Sequence, residues 1–174
     1  MSDSRGPRSE VEIVEVSREA RIRLAPILDE SFEGLYLWHA KRTLQSIEVV
    51  RAARTVDGED TGLIMLKRLG HEAGYVYYVA VQPRFRRMGI GARLLDDALS
   101  YFAKSGVVDV YASIEEENVG SRMLFESRGF ERLQGSEMAE RYGRIRSLLM
   151  YREMMVVPGE VLLGKRLTGS KNSL

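Results

Sequence analysis

The chain contains no cysteine, and this absence excludes three kinds of chemistry. Disulfide bridges, thiolate metal sites and a cysteine nucleophile all require the missing side chain. Histidine is almost as scarce, because only His39 and His71 are present and they are far apart in the sequence. We therefore expect no metal in the protein.

An excess of charge of one sign is also absent. The chain has 26 lysines and arginines against 25 aspartates and glutamates, for a formal net charge of +1. No global field would attract nucleic acid or an anionic membrane, so we expect neither as a partner. The arginines between Arg84 and Arg93 are the feature that would argue for nucleic-acid binding. An affinity for duplex DNA or RNA that depends on salt would reveal such a function.

Long apolar runs are missing as well. The longest, such as residues 75–81, are far below the roughly 18 to 20 residues that a bilayer crossing needs. The first ten residues are polar, unlike a secretory signal, and Ser2 stands where myristoylation needs glycine. These features predict a cytoplasmic protein.

What is present fits one globular domain. A length of 174 residues with 44% hydrophobic and 29% charged residues is typical of a single hydrophobic core. We expect a disordered N-terminus at 1–10, a domain at 11–157 and a partly disordered C-terminal extension at 158–174.

Hydrophobic periodicity predicts the elements of this domain. Strands are expected at 11–16, 47–55, 61–69, 75–81, 107–114, 130–133 and 147–157, and helices at 90–104 and 119–128, with two short helices within 17–45. This order predicts a mixed α/β sheet rather than a doubly wound parallel one.

A loop rich in arginine and glycine joins the strand at 75–81 to the helix at 90–104. Gly89 and Gly91 stand where this helix begins. Such a loop presents unpaired backbone N–H groups and the positive end of a helix dipole, which together favour an anion such as phosphate. The alternative is that the two glycines only permit a tight turn.

Spacing excludes two other phosphate-binding motifs. A P-loop needs Lys and Ser or Thr where Ala92 and Arg93 follow Gly91. A dinucleotide fingerprint needs glycine where Leu94 stands.

The loop instead matches the signature R/Q-x-x-G-x-G/A through Arg86, Gly89 and Gly91. A second motif, N-x-x-A-x-x-L-Y-x-x-x-G-F, is matched from Asn118 to Phe130, with a serine in place of the small alanine. In this order and at this separation, the two motifs resemble the GNAT superfamily of acyl-CoA-dependent N-acyltransferases. Residues 149–154 are similar to the last strand of that family.

The resemblance implies an α/β fold of one domain. Its mixed central sheet of about seven strands has helices on both faces and a splay between the fourth and fifth strands. The pantetheine arm of acetyl-CoA would lie in that splay, with no metal needed. The residues implied in coenzyme binding are Val79, Val81, Arg86, Arg87, Met88, Gly89, Ile90, Gly91, Ala92, Asn118 and Phe125. For Asn118 a helix N-cap is an equally weighted interpretation, and the two roles are compatible.

The implied reaction is transfer of an acetyl group from acetyl-CoA to a primary amine by direct attack in a ternary complex. The amine must first lose a proton, because a lysine amine has a pKa of about 10.4 and an α-amine of about 8. The resemblance implies that Tyr75 organises the accepting water, with Tyr78 as the next candidate, and that the Val79 N–H holds the oxyanion. Phe125 stands where the family usually has the tyrosine that protonates the thiolate.

Phe125 keeps a second interpretation open, a catalytically silent module that binds coenzyme A and regulates. For an enzyme, the acceptor would be a protein N-terminus, a lysine or a small amine. The similarity of residues 86–91 to N-terminal acetyltransferases favours a peptide. A monomer and a homodimer are both compatible with the sequence.

Overall fold

The computed structural model describes residues 10–167. The disordered N-terminus expected at 1–10 therefore lies outside the described residues, apart from Glu10. Of the expected C-terminal extension, residues 158–167 are described.

The described residues form seven strands and six α-helices. The strands are β1 (Val11–Glu15), β2 (Val49–Thr55), β3 (Asp60–Leu69), β4 (Ala73–Val81), β5 (Asp109–Glu115), β6 (Glu131–Arg132) and β7 (Glu160–Arg166). The helices are α1 (Ala25–Asp29), α2 (Gly34–Ser46), α3 (Ile90–Lys104), α4 (Val119–Glu126), α5 (Glu137–Tyr142) and α6 (Arg144–Met154), with 3-10 segments at Arg18–Leu24 and Pro83–Phe85. No helix in this part of the chain is long and apolar enough to span a bilayer.

The strands form one mixed sheet in the order β1-β2-β3-β4-β5-β7-β6. β4 and β5 are parallel, whereas β1 pairs antiparallel with β2, and β7 pairs antiparallel with both β5 and β6. The predicted mixed α/β sheet is confirmed.

The parallel register between β4 and β5 is short. It runs from Ala73 opposite Asp109 to Val76 opposite Ala112, although β4 continues to Val81. β5 meanwhile stays paired with β7 as far as Glu115. The pairing of β4 with β5 thus ends partway along both strands, as the expected splay requires.

By its contacts the chain divides into two compact units, which we describe separately. Of the described residues, the first unit contains 10–65 together with Tyr78–Asp97, and the second contains Leu66–Tyr77 and 98–167.

In the first unit a buried arginine closes the end of α2. Arg21 is 3% exposed, and its guanidinium donates to the carbonyls of Leu44 at 3.2 Å, Ile47 at 2.7 Å and Glu48 at 3.3 Å. The last carbonyls of a helix have no intrahelical partner, so this cation satisfies the carbonyl of Leu44 in the last turn of α2 and complements the helix dipole.

In the second unit a buried carboxylate connects α5 to β5. Asp109 is 3% exposed and accepts hydrogen bonds from Arg141 at 2.9 Å and from the Tyr142 hydroxyl at 2.8 Å. The hydroxyls of Tyr142 and Tyr111 are 3.0 Å apart. Burial is the main reason that the pKa of Tyr111 is raised.

The strand predicted at 147–157 is wrong, because α6 occupies most of this segment. Ser147, Met150 and Met154 are buried at helical spacing, while Leu148 and Leu149 are exposed. A short apolar run cannot be assigned to a strand or a helix by periodicity alone. The leucines, methionines, arginines and glutamate of α6 all have high helix propensity, which decides for a helix.

The last strand of the sheet is β7, so the sheet continues past residue 157. Gly164 belongs to the C-terminal extension expected at 158–174. In the structure it lies inside β7, where an added Cβ would be 2.9 Å from Cδ1 of Leu133 and 3.1 Å from Cε1 of Tyr111. This glycine therefore marks close packing in a strand.

A glycine of β4 gives a test of core packing. An added Cβ at Gly74 would lie 2.5 Å from Cε1 of the Phe102 ring. We expect Gly74→Ala to lower the free energy of unfolding by about 1–3 kcal/mol, because overpacking forces the ring to shift. Gly135→Ala, where nothing lies within 4 Å, should change it by less than about 0.5 kcal/mol. Urea denaturation of both variants makes the comparison, and equal midpoints would contradict this packing.

Candidate active site

The end of β4 is held firmly beside β3 within the first unit. The backbone N–H of Gln82 donates to the Thr61 carbonyl at 2.9 Å, and its side-chain amide donates to the Asp60 carbonyl at 3.3 Å. A Cβ at Gly62 would be only 2.9 Å from the Ala80 carbonyl oxygen, so this glycine permits the close approach. The loop after β4 therefore starts from a fixed position.

This loop turns the chain from β4 into α3. The N–H groups of Phe85 and Arg86 donate to the carbonyls of Gln82 and Pro83, at 2.9 and 3.2 Å, which forms the 3-10 turn. Arg87 and Gly89 then both have positive φ angles, of 63° and 81°. The turn requires the conformational freedom of glycine at position 89, while Arg87 adopts a φ that is uncommon for other residues.

The first backbone N–H groups of α3 precede its hydrogen-bond ladder. The N–H of Arg93 donates to the Gly89 carbonyl at 3.0 Å, so those of Ile90, Gly91 and Ala92 come before the first helical bond. Gly89 is exposed, and a Cβ there would meet nothing within 4 Å. Ile90 is buried and anchors the helix. The result is an open, positive helix end that suits an anion.

The arginines of this segment differ in what they bind. Arg84 pairs with Glu59, and Arg93 donates to the carbonyl of Val11, so both already have partners. The Nε of Arg86 donates to the Val81 carbonyl at 3.0 Å, a group that the resemblance assigns to the pantetheine arm.

Tyr75, the first candidate for catalysis, belongs to the second unit and is 2% exposed. Its hydroxyl is 2.6 Å from the Ser113 hydroxyl, and its ring meets that of Tyr77 edge-on at 4.7 Å. Burial is the main cause that raises the pKa of Tyr75 above its ordinary value, with Glu160 adding to it. Its role in organising a water stays a prediction.

Tyr77, which stands between the two candidate tyrosines, is tied to α6. Its hydroxyl donates to the carbonyl of Glu153. Burial, followed by the Glu153 charge, raises the pKa of Tyr77 to about 12. This phenol is therefore protonated near neutral pH.

Tyr78, the second candidate, belongs to the first unit and is half-buried. Its hydroxyl is 2.7 Å from Nδ1 of His39, and its ring meets Phe32 edge-on at 5.2 Å. Val79 follows it in β4, also half-buried, and its proposed contact with the oxyanion stays a prediction.

Asn118 is the N-cap of α4, in the second unit. Its side-chain oxygen accepts the Ser121 N–H at 2.9 Å, so the capping alternative is confirmed. The cap uses the amide oxygen and leaves the amide donors for a ligand.

Phe125 lies on the buried side of the same helix. It is 4% exposed and meets the Phe130 ring edge-on at 5.0 Å. Its ring therefore contributes to packing, and it has no proton to donate.

Sequence reasoning missed two partners of the candidate tyrosines. The sequence presents His39 only as a possible metal ligand and gives no signal for Ser113. Each lies nearly 40 positions from the tyrosine that it contacts, so no local spacing could have indicated the pair. Within residues 10–167 there is no cluster of three side chains able to hold a metal.

The structure has a mixed sheet in which β4 continues beyond its pairing with the parallel strand β5. β4 then leads through an arginine–glycine turn into a helix. This arrangement is the fold type of the N-acyltransferases. The model of the acetyltransferase (GNAT) family matches residues 14–130, more than half of the chain. The chain therefore belongs to the GNAT acetyltransferase family.

One relative shares sequence with part of this chain. An uncharacterized protein of Mycobacterium leprae (strain TN) is 34% identical over 118 residues, which cover 64% of this chain and 32% of that protein. The chain thus spans about a third of the length of this relative.

Two solved structures show the same fold at low sequence identity. A GNAT acetyltransferase from Elizabethkingia anophelis with acetyl-CoA bound has a TM-score of 0.66 at 17% identity, covering 90% of this chain and 98% of its own. The ribosomal-protein-S18-alanine N-acetyltransferase from Escherichia coli has a TM-score of 0.68 at 14% identity, covering 95% and 99%.

The cap at Asn118 can be tested by stability. Asn118→Ala should lower the free energy of unfolding by about 1 kcal/mol, because the Ser121 N–H loses its acceptor. Asn118→Ser should stay within a few tenths of the native value, since serine caps about as well. Thermal or urea denaturation distinguishes them, and two equally destabilised variants would mean that the cap is not the stabilising contact.

Proposed function

We propose that this domain transfers an acetyl group from acetyl-CoA to a primary amine by direct attack in a ternary complex. The observation that carries the proposal is the open N-terminal end of α3 behind the turn at Arg87 and Gly89. Coenzyme A carries a pyrophosphate, the kind of anion that such a helix end binds. The Elizabethkingia structure, which has the same fold, contains acetyl-CoA.

Within this proposal the coenzyme has three groups of protein partners. The backbone N–H groups from Arg87 to Ala92 hold the pyrophosphate, and Met88 shields it as an exposed apolar side chain. Backbone groups of Val79 and Val81 bind the amides of the pantetheine arm. The amide donors of Asn118 bind the same arm, and Phe125 contributes apolar surface.

Catalysis requires a neutral amine, a place for the oxyanion and a stable leaving group. Tyr78 or Tyr75 orients the amine or the water that takes its proton, since a phenol has an ordinary pKa of about 10 and is a poor base at neutral pH. Burial raises the pKa of Tyr75 further. The Val79 N–H holds the oxyanion. A thiol has a pKa of about 8.5, so the thiolate departs without the acid that Phe125 cannot supply.

The acceptor we propose is a protein N-terminus, with lysines and small amines as the other members of the class. The Escherichia coli structure of the same fold is an acetyltransferase for the alanine of ribosomal protein S18. An acetylome recorded after incubation with cell extract would identify the acceptor.

Coenzyme binding is tested by calorimetry with acetyl-CoA. We expect one equivalent to bind, and Gly89→Asp to weaken binding at least about tenfold, because a carboxylate repels the pyrophosphate and occupies its space. Gly135→Asp, at an open position outside the α3 turn, is the matched control and should bind as the native protein does. Equal affinity of both variants would remove the helix end from the site.

Catalysis is tested by release of coenzyme A across a panel of amines. We expect amine-dependent release, and a decrease of kcat by about 10-fold to 1000-fold in the tyrosine variant that removes the functional hydroxyl. Tyr78→Phe and Tyr75→Phe are matched, since each removes one oxygen and each should leave the acetyl-CoA Kd within about twofold.

The pattern across the two variants decides the assignment. A decrease of kcat in only one variant identifies that tyrosine as the functional one. A native kcat in both variants would exclude both hydroxyls from catalysis. Binding of acetyl-CoA without release for any amine would favour the silent regulatory module.

A further inference from the structure

We infer that His39 is a positioning residue for acetyl transfer, because it fixes the direction in which the Tyr78 hydroxyl offers its hydrogen bonds. The inference rests on the proposed function and identifies a residue of α2 that acts through β4. Both residues lie in the first unit of the structure.

The contact between the two side chains is close and supported on several sides. Nδ1 of His39 is 2.7 Å from the Tyr78 oxygen, and the ring centroids are 5.9 Å apart. The Phe32 ring packs edge-on against Tyr78, which restricts its rotation. The Thr43 hydroxyl, one helical turn after His39, is 3.5 Å from the same Nδ1. Both rings are half-buried.

The chemistry of the two groups sets the direction of this bond. A phenol is a better hydrogen-bond donor than a neutral imidazole N–H, and the unprotonated imidazole nitrogen is the better acceptor. The Tyr78 hydroxyl therefore donates to Nδ1, and the hydrogen of neutral His39 is on Nε2. In this orientation the Tyr78 oxygen can accept an N–H of the acceptor amine or of its water.

Protonation of His39 reverses this arrangement. The imidazolium has no free lone pair, so its Nδ1–H donates to the Tyr78 oxygen and turns the phenol hydrogen away. The cation also repels a cationic amine. On the surrounding α-helices, the charged groups are Asp29 of α1, which pairs with Lys41 of α2 at 2.5 Å, and Arg42 of α2, which lies over the Trp38 ring. The 3-10 segment packed on α2 adds Arg18, Glu19, Arg21 and Arg23; Arg21 donates to carbonyls at the end of α2, and Arg23 pairs with Asp60. The active form of the pair thus has a neutral His39.

Kinetics of His39→Ala, Tyr78→Phe and the double variant test the coupling. His39→Ala should lower kcat by about 3-fold to 30-fold, and the double variant should match Tyr78→Phe within about twofold, because His39 acts only through that hydroxyl. If the decreases of kcat in the two single variants multiply in the double variant, the inference is overturned. A native kcat in His39→Ala would overturn it as well.

The pH profile separates positioning from a structural role. Below the pKa of the acceptor amine, log kcat/KM should rise with slope 1, and below the pKa of His39, ordinarily about 6.5, with slope 2. His39→Asn retains an acceptor oxygen near the place of Nδ1 but cannot titrate. It should keep kcat within about threefold above pH 7.5 and lose the second unit of slope. A slope of 2 that persists in His39→Asn contradicts the inference.

A titration of the histidine ring signals by NMR gives a readout that does not depend on activity. The phenol bond stabilises neutral His39, so Tyr78→Phe should raise the pKa of His39, by about 0.5 units or more. His71, the other histidine of the chain and an exposed one, is the internal control. A lowered or unchanged pKa of His39 would overturn the assigned direction of the bond.

These experiments distinguish failure of the proposed function from failure of the positioning role. A native protein that releases no coenzyme A with any amine refutes the proposed function, and the positioning role with it. An active native protein whose His39 variants behave as the native enzyme refutes the positioning role alone.

Discussion

The parallel pairing of β4 with β5 is the constraint on which the candidate site depends. Two parallel strands cannot be joined by a hairpin, so the chain must return through a crossover, and here the crossover is α3. Because only the short segment 82–89 joins β4 to α3, the helix begins near the end of that strand. The open amide groups at this end are therefore a consequence of the topology, and the turn at Arg87 and Gly89 completes the connection.

Polar groups buried in the second unit show a related constraint. A carboxylate such as Asp109 is stable in the core only when it is paired and hydrogen-bonded, and Arg141 and Tyr142 of α5 provide both. The same contacts hold α5 onto β5. The Tyr77 hydroxyl, which donates to the Glu153 carbonyl, likewise ties β4 to α6. These two helices lie between β6 and β7 in the chain, and their Met138, Met150 and Met154 form a buried cluster with Tyr75, against which Tyr77 packs.

Sequence patterns were reliable where local chemistry is decisive. The apolar residues of α3 from Ile90 to Phe102 lie on one face of the helix, and the structure gives this helix the predicted bounds of 90–104. Glycines at positive φ, such as Gly89, marked the turns. The pattern failed at α6, where an apolar run between two arginines fits a strand and a helix equally. The expectation for the C-terminal extension was also wrong at Gly164, because the close packing that requires glycine there involves Leu133 and Tyr111, which are distant in the sequence.

The sequence by itself determined the order of most elements, the family and the segment that forms the helix end. Each of these depends on residues that are close together along the chain. Only the tertiary structure decided which hydroxyl meets which partner. The pairs Tyr75 with Ser113 and Tyr78 with His39 each join residues nearly 40 positions apart. A hydrogen bond needs its two atoms about 3 Å apart and aligned, and only the packing of the folded chain creates that geometry.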